Sequence, residues 1–248
     1  DSDDEEEEDC ECGSRVGLSE GNLTIRHALP SYRALGASRN VTLRYNHVTA
    51  QAKPVINFRQ EIPARLLSNS DLNISARLDI GGLSLTSEQF WSSDQTLAQA
   101  GLQFSAESIP TSVYDYALEV KLLTRFGSRL VHLSGKVDVV NSADSPFGSG
   151  WQVEGLERIY LGASGDALVS EGRPNGTIFR RTVDGFSAPP GEFSSLIQSP
   201  EGFERRYPDG TVKSFNPDGL LVDERDRNGN TTIYQYDSSG RLLTITDP

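Results

Sequence analysis

The stretch Asp226-Arg-Asn228-Gly229-Asn230 sets three oxygen-bearing side chains two residues apart, the spacing with which a calcium loop gathers hard ligands. An EF-hand has glycine at its sixth position and glutamate at its twelfth; counted from Asp226, the glycine is fourth and Asp237 is twelfth. The same residues suit a turn in which Asx side chains bond their own backbone, and that is the expectation. Cys10 and Cys12 are the two cysteines. In Cys-Glu-Cys they bridge each other poorly, and no second pair or clustered histidine completes a tetrahedral zinc site. Either they form an exposed pair in a linker or their partners lie upstream. Nucleophilic catalysis needs a base beside the nucleophile and a third group to orient it. His27, His47 and His132 are scattered through alternating segments with no Gly-x-Ser-x-Gly elbow, so each reads as an ordinary strand residue. No carboxylate sits in a pattern that marks general acid–base work. Trp151 reads as a core anchor rather than a sugar platform. No catalytic, metal or cofactor-binding residue is therefore assigned, and a non-enzymatic chain is expected. An enzymatic reading, such as a glycan lyase on a β scaffold, has no motif to stand on.

The chain around these residues has 248 residues, 36% of them hydrophobic, with 23 glycines and 12 prolines. That is a turn-rich chain of one large or two modest domains, not a helical bundle. No apolar run approaches the ~18 residues of a membrane span. The sequence starts at Asp1 and lacks methionine, so it reads as a piece of a longer protein. The net charge of −12 is concentrated: residues 1–12 hold nine acids and no base, and without those nine the chain has 26 acids against 23 bases. Such a block repels itself and is expected to form a solvated, disordered leader over residues 1–20. Loose calcium binding or contact with a basic partner is its other possible role. With no basic stripe to displace counterions, a nucleic-acid partner is excluded.

Beyond the leader, the dominant signal is period-two alternation. Leu23, Ile25 and His27, then Val41, Leu43 and Tyr45, predict opening strands within 21–50, joined by a loop through Pro30 and Gly36–Asn40. Residues 51–143 predict longer strands at Val55–Phe58, Leu72–Ile80, Leu102–Ala106, Tyr114–Leu123 and Leu130–Val140, a two-sheet sandwich whose core Phe90-Trp91 would cap. Thr96–Ala100 is the one stretch compatible with helix, and even there the expectation is not a helix. Residues 144–248 break into short strands between Gly-centred turns, with Asn-Gly and Asp-Gly pairs that fit type I′ geometry.

An internal repeat organises the end of the chain. Phe215-Asn-Pro-Asp-Gly219-Leu-Leu-Val-Asp-Glu-Arg-Asp226 aligns with Tyr236-Asp-Ser-Ser-Gly240-Arg-Leu-Leu-Thr-Ile-Thr-Asp247 at a constant offset of 21. Arg206-Tyr207-Pro-Asp-Gly210-Thr211 is a weaker copy. One hairpin cannot bury its own apolar face, so such copies must stack side by side. Alternation puts Tyr234 and Tyr236 on one face, Ile233 and Gln235 on the other.

The run from Asp226 through Asn230, Tyr236-Asp237, Gly240-Arg241-Leu242 to Asp247-Pro248 closely resembles the YD repeat of the RHS family. Ser145-Pro-Phe-Gly-Ser-Gly-Trp151 with Gly155-Leu-Glu-Arg-Ile-Tyr160 is similar to the segment that precedes those repeats. Gly21–Pro30 and Val41–Asn46 resemble their opening strands. The resemblance implies an all-β chain: an immunoglobulin-like, plug-like β-sandwich (51–143) inserted before the start of a YD-repeat β-hairpin shell (144–248). In that family, shells enclose a C-terminal toxin or form the adhesive scaffold of teneurins. It implies a secreted or cell-surface protein whose partners are the rest of its own chain and a secretion-system or cell-surface component. The family's self-cleavage residues follow the last repeat and have no counterpart in this sequence.

Overall fold

The computed structural model describes residues 12–17, 22–34, 36–61, 72–91, 97–124 and 127–248. In chain order the opening elements are β1 (Cys12–Gly17), β2 (Asn22–Ala28), β3 (Tyr32–Ala34), β4 (Ala37–Arg39), β5 (Thr42–Asn46) and helix α1 (His47–Ala50). The middle carries β6 (Val55–Glu61), β7 (Leu72–Ile80), β8 (Leu83–Trp91), β9 (Leu97–Gln103), β10 (Ser112–Thr124) and β11 (Gly127–Val139). Then come β12 (Trp151–Val153), β13 (Arg158–Leu161), β14 (Ala167–Ser170), β15 (Thr177–Thr182) and β16 (Gly185–Ser187). The last six are β17 (Ser195–Ser199), β18 (Gly202–Arg206), β19 (Val212–Phe215), β20 (Leu221–Arg225), β21 (Thr231–Tyr236) and β22 (Leu242–Thr246). Every pairing is antiparallel, as alternation with short turns requires.

The opening sheet runs β1-β2-β5-β12, so the Trp151 segment, a hundred residues downstream, closes the sheet that the first strands begin. Residues 1–11 and 18–20 lie outside the described residues. Cys12–Gly17, read from charge as part of the leader, is instead a strand paired along its whole length with β2. The acidic run breaks off after Glu11, and a Gly-Ser-Arg-Val-Gly run has no like charges to keep it from the ladder. The loop between β2 and β5 folds into its own hairpin, β3–β4.

The middle segment is a sandwich: sheet β11-β10-β7-β8 covers the two-stranded sheet β6-β9. Leu118, Val120 and Leu122 point inward on alternate positions of β10, against Ile56 and Phe58 of β6 and Leu78 and Ile80 of β7. The six described strands set four on one sheet against two on the other. Leu97–Gln103 is a strand: seven successive pairs to β6 outweigh the helix propensity of Leu-Ala-Gln-Ala, and Thr96 lies outside the described residues. Among the described residues the one helix is α1, a single turn that Asn46 caps by accepting the Thr49 N–H at 3.2 Å. A single turn leaves no periodicity to read. Strand β8 also went unforeseen; it pairs residue for residue with β7 across Gly81-Gly82, whose φ values of 52° and 86° make a true type I′ turn. Phe90 and Trp91 end β8, and their side chains lie outside those described.

After β12, the sheets β13-β14-β15-β16 and β17-β18-β19-β20-β21-β22 share one core: Ile159, Val169 and Phe179 of the first meet Phe203, Phe215 and Leu221 of the second. The two sheets also meet at an edge, where the Ile159 N–H donates to the Gly219 carbonyl at 2.9 Å. The approach is close enough that a Cβ on Gly219 would fall inside the Ile159 carbonyl oxygen. The sandwich docks on this part through Val113, Val140 and Leu168. Asp138 also accepts the Gly176 N–H at 2.6 Å, and Lys136 lies 2.7 Å from Asp166. Among the described residues no helix is long and apolar enough to cross a membrane.

Candidate functional site

The six-stranded sheet is a meander in which each hairpin repeats the geometry of the one before. Phe215 ends β19 and pairs with Leu221 beside a bulge; 21 residues on, Tyr236 ends β21 and pairs with Leu242 beside the same bulge. The Asn216 and Gly219 N–H groups donate to the carbonyls of Leu220 (2.9 Å) and Asn216 (2.9 Å), and those of Asp237 and Gly240 donate to Arg241 (2.9 Å) and Asp237 (3.0 Å). Tyr207–Thr211 and Asp226–Asn230 form the same turn at the opposite end of the sheet. In all four only the glycine has positive φ, between 74° and 91°. The expected type I′ turns are thus replaced by a type I turn whose following glycine makes a left-handed bulge. An Asx side chain stabilises all four, since its oxygen takes a turn N–H that the strand ladder cannot reach; in the Tyr207–Thr211 turn Asp209 accepts the Thr211 N–H at 2.9 Å. Asp226 accepts from the Asn228 (2.8 Å) and Asn230 (2.9 Å) N–H groups, Asp237 from those of Ser239 (2.9 Å) and Arg241 (2.9 Å), and Asn216 from Leu220 (2.9 Å).

The face turned inward carries the chemistry. The position two before each repeat aromatic points into the core: Arg205 before Tyr207, Lys213 before Phe215, and Tyr234 before Tyr236. In the two degenerate copies this position is a cation, and both cations converge on Glu157. That residue enters from the Gly155 turn and is 2% exposed. Its Oε2 accepts from Arg205 Nη1 at 2.9 Å, and its Oε1 from Lys213 Nζ at 2.7 Å and the Tyr207 hydroxyl at 2.6 Å. Arg205 also donates from Nε to Ser194 Oγ (2.8 Å) and from Nη2 to Glu192 (3.0 Å), and its guanidinium lies 4.7 Å from the Tyr207 ring centroid. Burial alone would raise the Glu157 carboxyl, but the charges of Lys213 and Arg205 and the hydrogen bonds to it hold it below the usual carboxylate range. Burial, then the Glu157 charge, pushes the Tyr207 phenol up. Both groups are fixed in their ordinary forms, ionised acid and neutral phenol, whereas a general base works best with a pKa near the operating pH. The arrangement therefore suits a structural lock that ties the Gly155 turn to strands β18 and β19.

The structure does not gather the residues whose types first suggested chemistry. His27 lies on β2, His47 opens α1, and His132 lies on β11, facing Glu119 at 3.7 Å. Trp151 is half-buried and pairs across the ladder with Tyr45, ring centroids 5.6 Å apart, so it braces the opening sheet rather than anchoring a core. Cys12 begins β1, and Cys10 lies outside the described residues. Among the described residues no group of three His, Cys, Asp or Glu is arranged to hold a metal ion. Asp247, the last residue of the repeat motif, accepts from the Tyr32 hydroxyl (2.6 Å) and Arg39 Nη1 (3.1 Å), so hairpin β3–β4 grips the final repeat. Sequence reasoning missed Glu157 and its cations; the signal available was Arg205 and Lys213 standing where the full repeat has Tyr234.

Residues 215–248 match the family model described as RHS Repeat. A search of curated proteins gave no match.

Proposed function

We propose that this chain, which carries an RHS repeat at 215–248, is the opening segment of a YD-repeat β-shell. On this reading it is a non-enzymatic part of a large secreted or cell-surface protein, and the shell encapsulates a C-terminal toxin domain. The observation that carries the reading is the equivalence of the Phe215 and Tyr236 modules in one continuous sheet. A ribbon that adds hairpins at a constant offset has one apolar face to cover, and it covers that face by curling. The function is then confinement: a wall of paired strands keeps proteases from the cargo and the cargo from acting. The Glu157 lock and the Tyr32–Arg39 grip on Asp247 fix the start of the wall. The principal partner is the remainder of the same chain, with a secretion-system or cell-surface component outside it.

The test is limited proteolysis of the product of the complete reading frame. Encapsulation predicts a C-terminal segment that survives digestion until the β-structure melts and is degraded at once thereafter. A C-terminal segment cut as fast in the whole protein as when free, or a full-length structure with an empty interior, refutes it. Either result, together with binding of the protein to cell surfaces, favours the teneurin-like adhesion scaffold.

A further inference from the structure

One face of the opening sheet carries a row of arginines. Gly13, Arg26, Arg44 and Gln152 stand opposite one another across β1, β2, β5 and β12, and Arg15 lies beside Arg26 on the same face. Gly13, Arg15, Arg26 and Arg44 line a cleft of about 720 Å³. Among the described residues the only acid lining it is Glu154, 2.7 Å from Arg26 Nη2. Glu171 and Arg173, 3.4 Å apart, border Arg44 and cancel each other. The cleft is thus left with two more positive charges than negative. Arg44 Nε is buried and has no hydrogen-bond partner, and burial, then the charge of Arg173, lowers the Arg44 pKa. Arginine rows of this kind are normally complemented, because like charges directly opposite in a sheet destabilise it. Above Gly13 there is open space where a side chain would stand, so the cleft is open on the side of β1.

We propose that the occupant of this cleft is the chain's own acidic leader, residues 1–11. Three observations support it. The leader carries nine carboxylates and no base. It joins β1 at Cys12, one residue from Gly13, whose cross-strand partner is Arg26. Arg44 lies two strands from β1, about 10 Å away, while eleven extended residues reach up to about 36 Å. The tether makes docking intramolecular, with an effective concentration on the order of millimolar. Repulsion among the leader's like charges is relieved where its carboxylates meet guanidinium groups. The inference does not depend on shell formation and stands or falls separately from it.

Two measurements on the full chain test it. Heparin serves as a competing polyanion, read by fluorescence anisotropy at about 0.05 M salt, where screening is weak. Neutralising the leader (Glu5→Gln, Glu6→Gln, Glu7→Gln and Glu8→Gln) leaves the cleft intact. It should tighten heparin binding about tenfold, in keeping with loss of a tethered competitor. Adding Arg15→Gln and Arg26→Gln should abolish the gain. The same charge change placed at the exposed Glu107, Asp184, Glu201 and Asp218 should give none. In the second arm, Arg15→Lys keeps the charge and supplies an amine for zero-length carbodiimide coupling. A cross-link between that introduced amine and a leader carboxylate, lost at about 0.5 M salt, is expected. Equal heparin affinity with and without the leader charges, a gain that survives loss of Arg15 and Arg26, or no salt-sensitive cross-link overturns the proposal.

Discussion

Replacing Glu157 with glutamine removes one charge and almost no volume, so the outcome isolates electrostatics. In the native protein that carboxylate balances Arg205 and Lys213, whose side chains are 5% and 12% exposed. Breaking a buried pair by deleting one partner costs about 3–5 kcal/mol, because the other charge stays desolvated. Two features place this site at the low end. Arg205 keeps Glu192 at 3.0 Å, and Lys213 lies 3.6 Å from the more exposed Glu224. A loss of ~3 kcal/mol corresponds to a fall of about 6–12 °C in the transition of the repeat region, at ~2–4 °C per kcal/mol for chains of this size. Calorimetry together with near-ultraviolet circular dichroism of the tyrosines reads it. The pH dependence supplies an independent check. The Glu157 carboxyl is held below its unfolded value. Its stabilisation is therefore present above the unfolded carboxylate pKa near ~4.3 and is lost as pH falls through the lower folded value. The glutamine variant should lack that part of the acid limb. Replacing Glu157, Arg205 and Lys213 together by leucine or methionine should cost less than the single change, since no charge is then stranded. A glutamine variant within ~1 kcal/mol of the parent, with an unchanged acid limb, would refute the lock.

Gly219→Ala should cost at least ~2 kcal/mol more than Gly229→Ala in chemical denaturation. Both glycines have positive φ, but only at Gly219 does a new Cβ meet a backbone carbonyl, that of Ile159. Asp226→Ala should cost ~0.5–2 kcal/mol while Asp226→Asn costs less, because the amide oxygen can still accept the turn N–H groups. Millimolar calcium should leave the melting temperature of either variant and of the parent unchanged, and a calcium-dependent rise in the parent alone would contradict the Asx-turn reading. On the alkaline side, burial raises Tyr207, Tyr234 and Tyr236, the last up to about 12. Their contribution is complete below the unfolded phenol pKa near ~10 and is lost as pH climbs through the folded values. Tyr236→Phe should flatten that limb in a spectroscopic pH titration of unfolding.

Much of the architecture was legible because alternation and turn chemistry are local. The strands that carry Leu118–Leu122 and Leu72–Ile80 were plain, and so was the equivalence of Phe215 with Tyr236. The failures were local signals overruled or absent. Leu97–Ala100 has helix-forming residues but a strand partner in β6, α1 is too short to show a period, and β8 reads as polar from Thr86 to Gln89. The turn type was misassigned because an Asn-Gly or Asp-Gly pair is compatible with two geometries, and which one forms depends on the register of the flanking strands.

Local pattern along the chain establishes that it is β-structured, that the unit at Phe215 recurs 21 residues on at Tyr236, and where the turns fall. All of these follow from φ preferences and from a period of two, which act between near neighbours. Only the tertiary structure decided that Glu157 meets Arg205 and Lys213, about fifty residues away, that β12 completes a sheet begun at Cys12, and that Arg15, Arg26 and Arg44 share a face. Those contacts depend on how sheets pack and which strands become neighbours, and no spacing along the chain encodes that by itself.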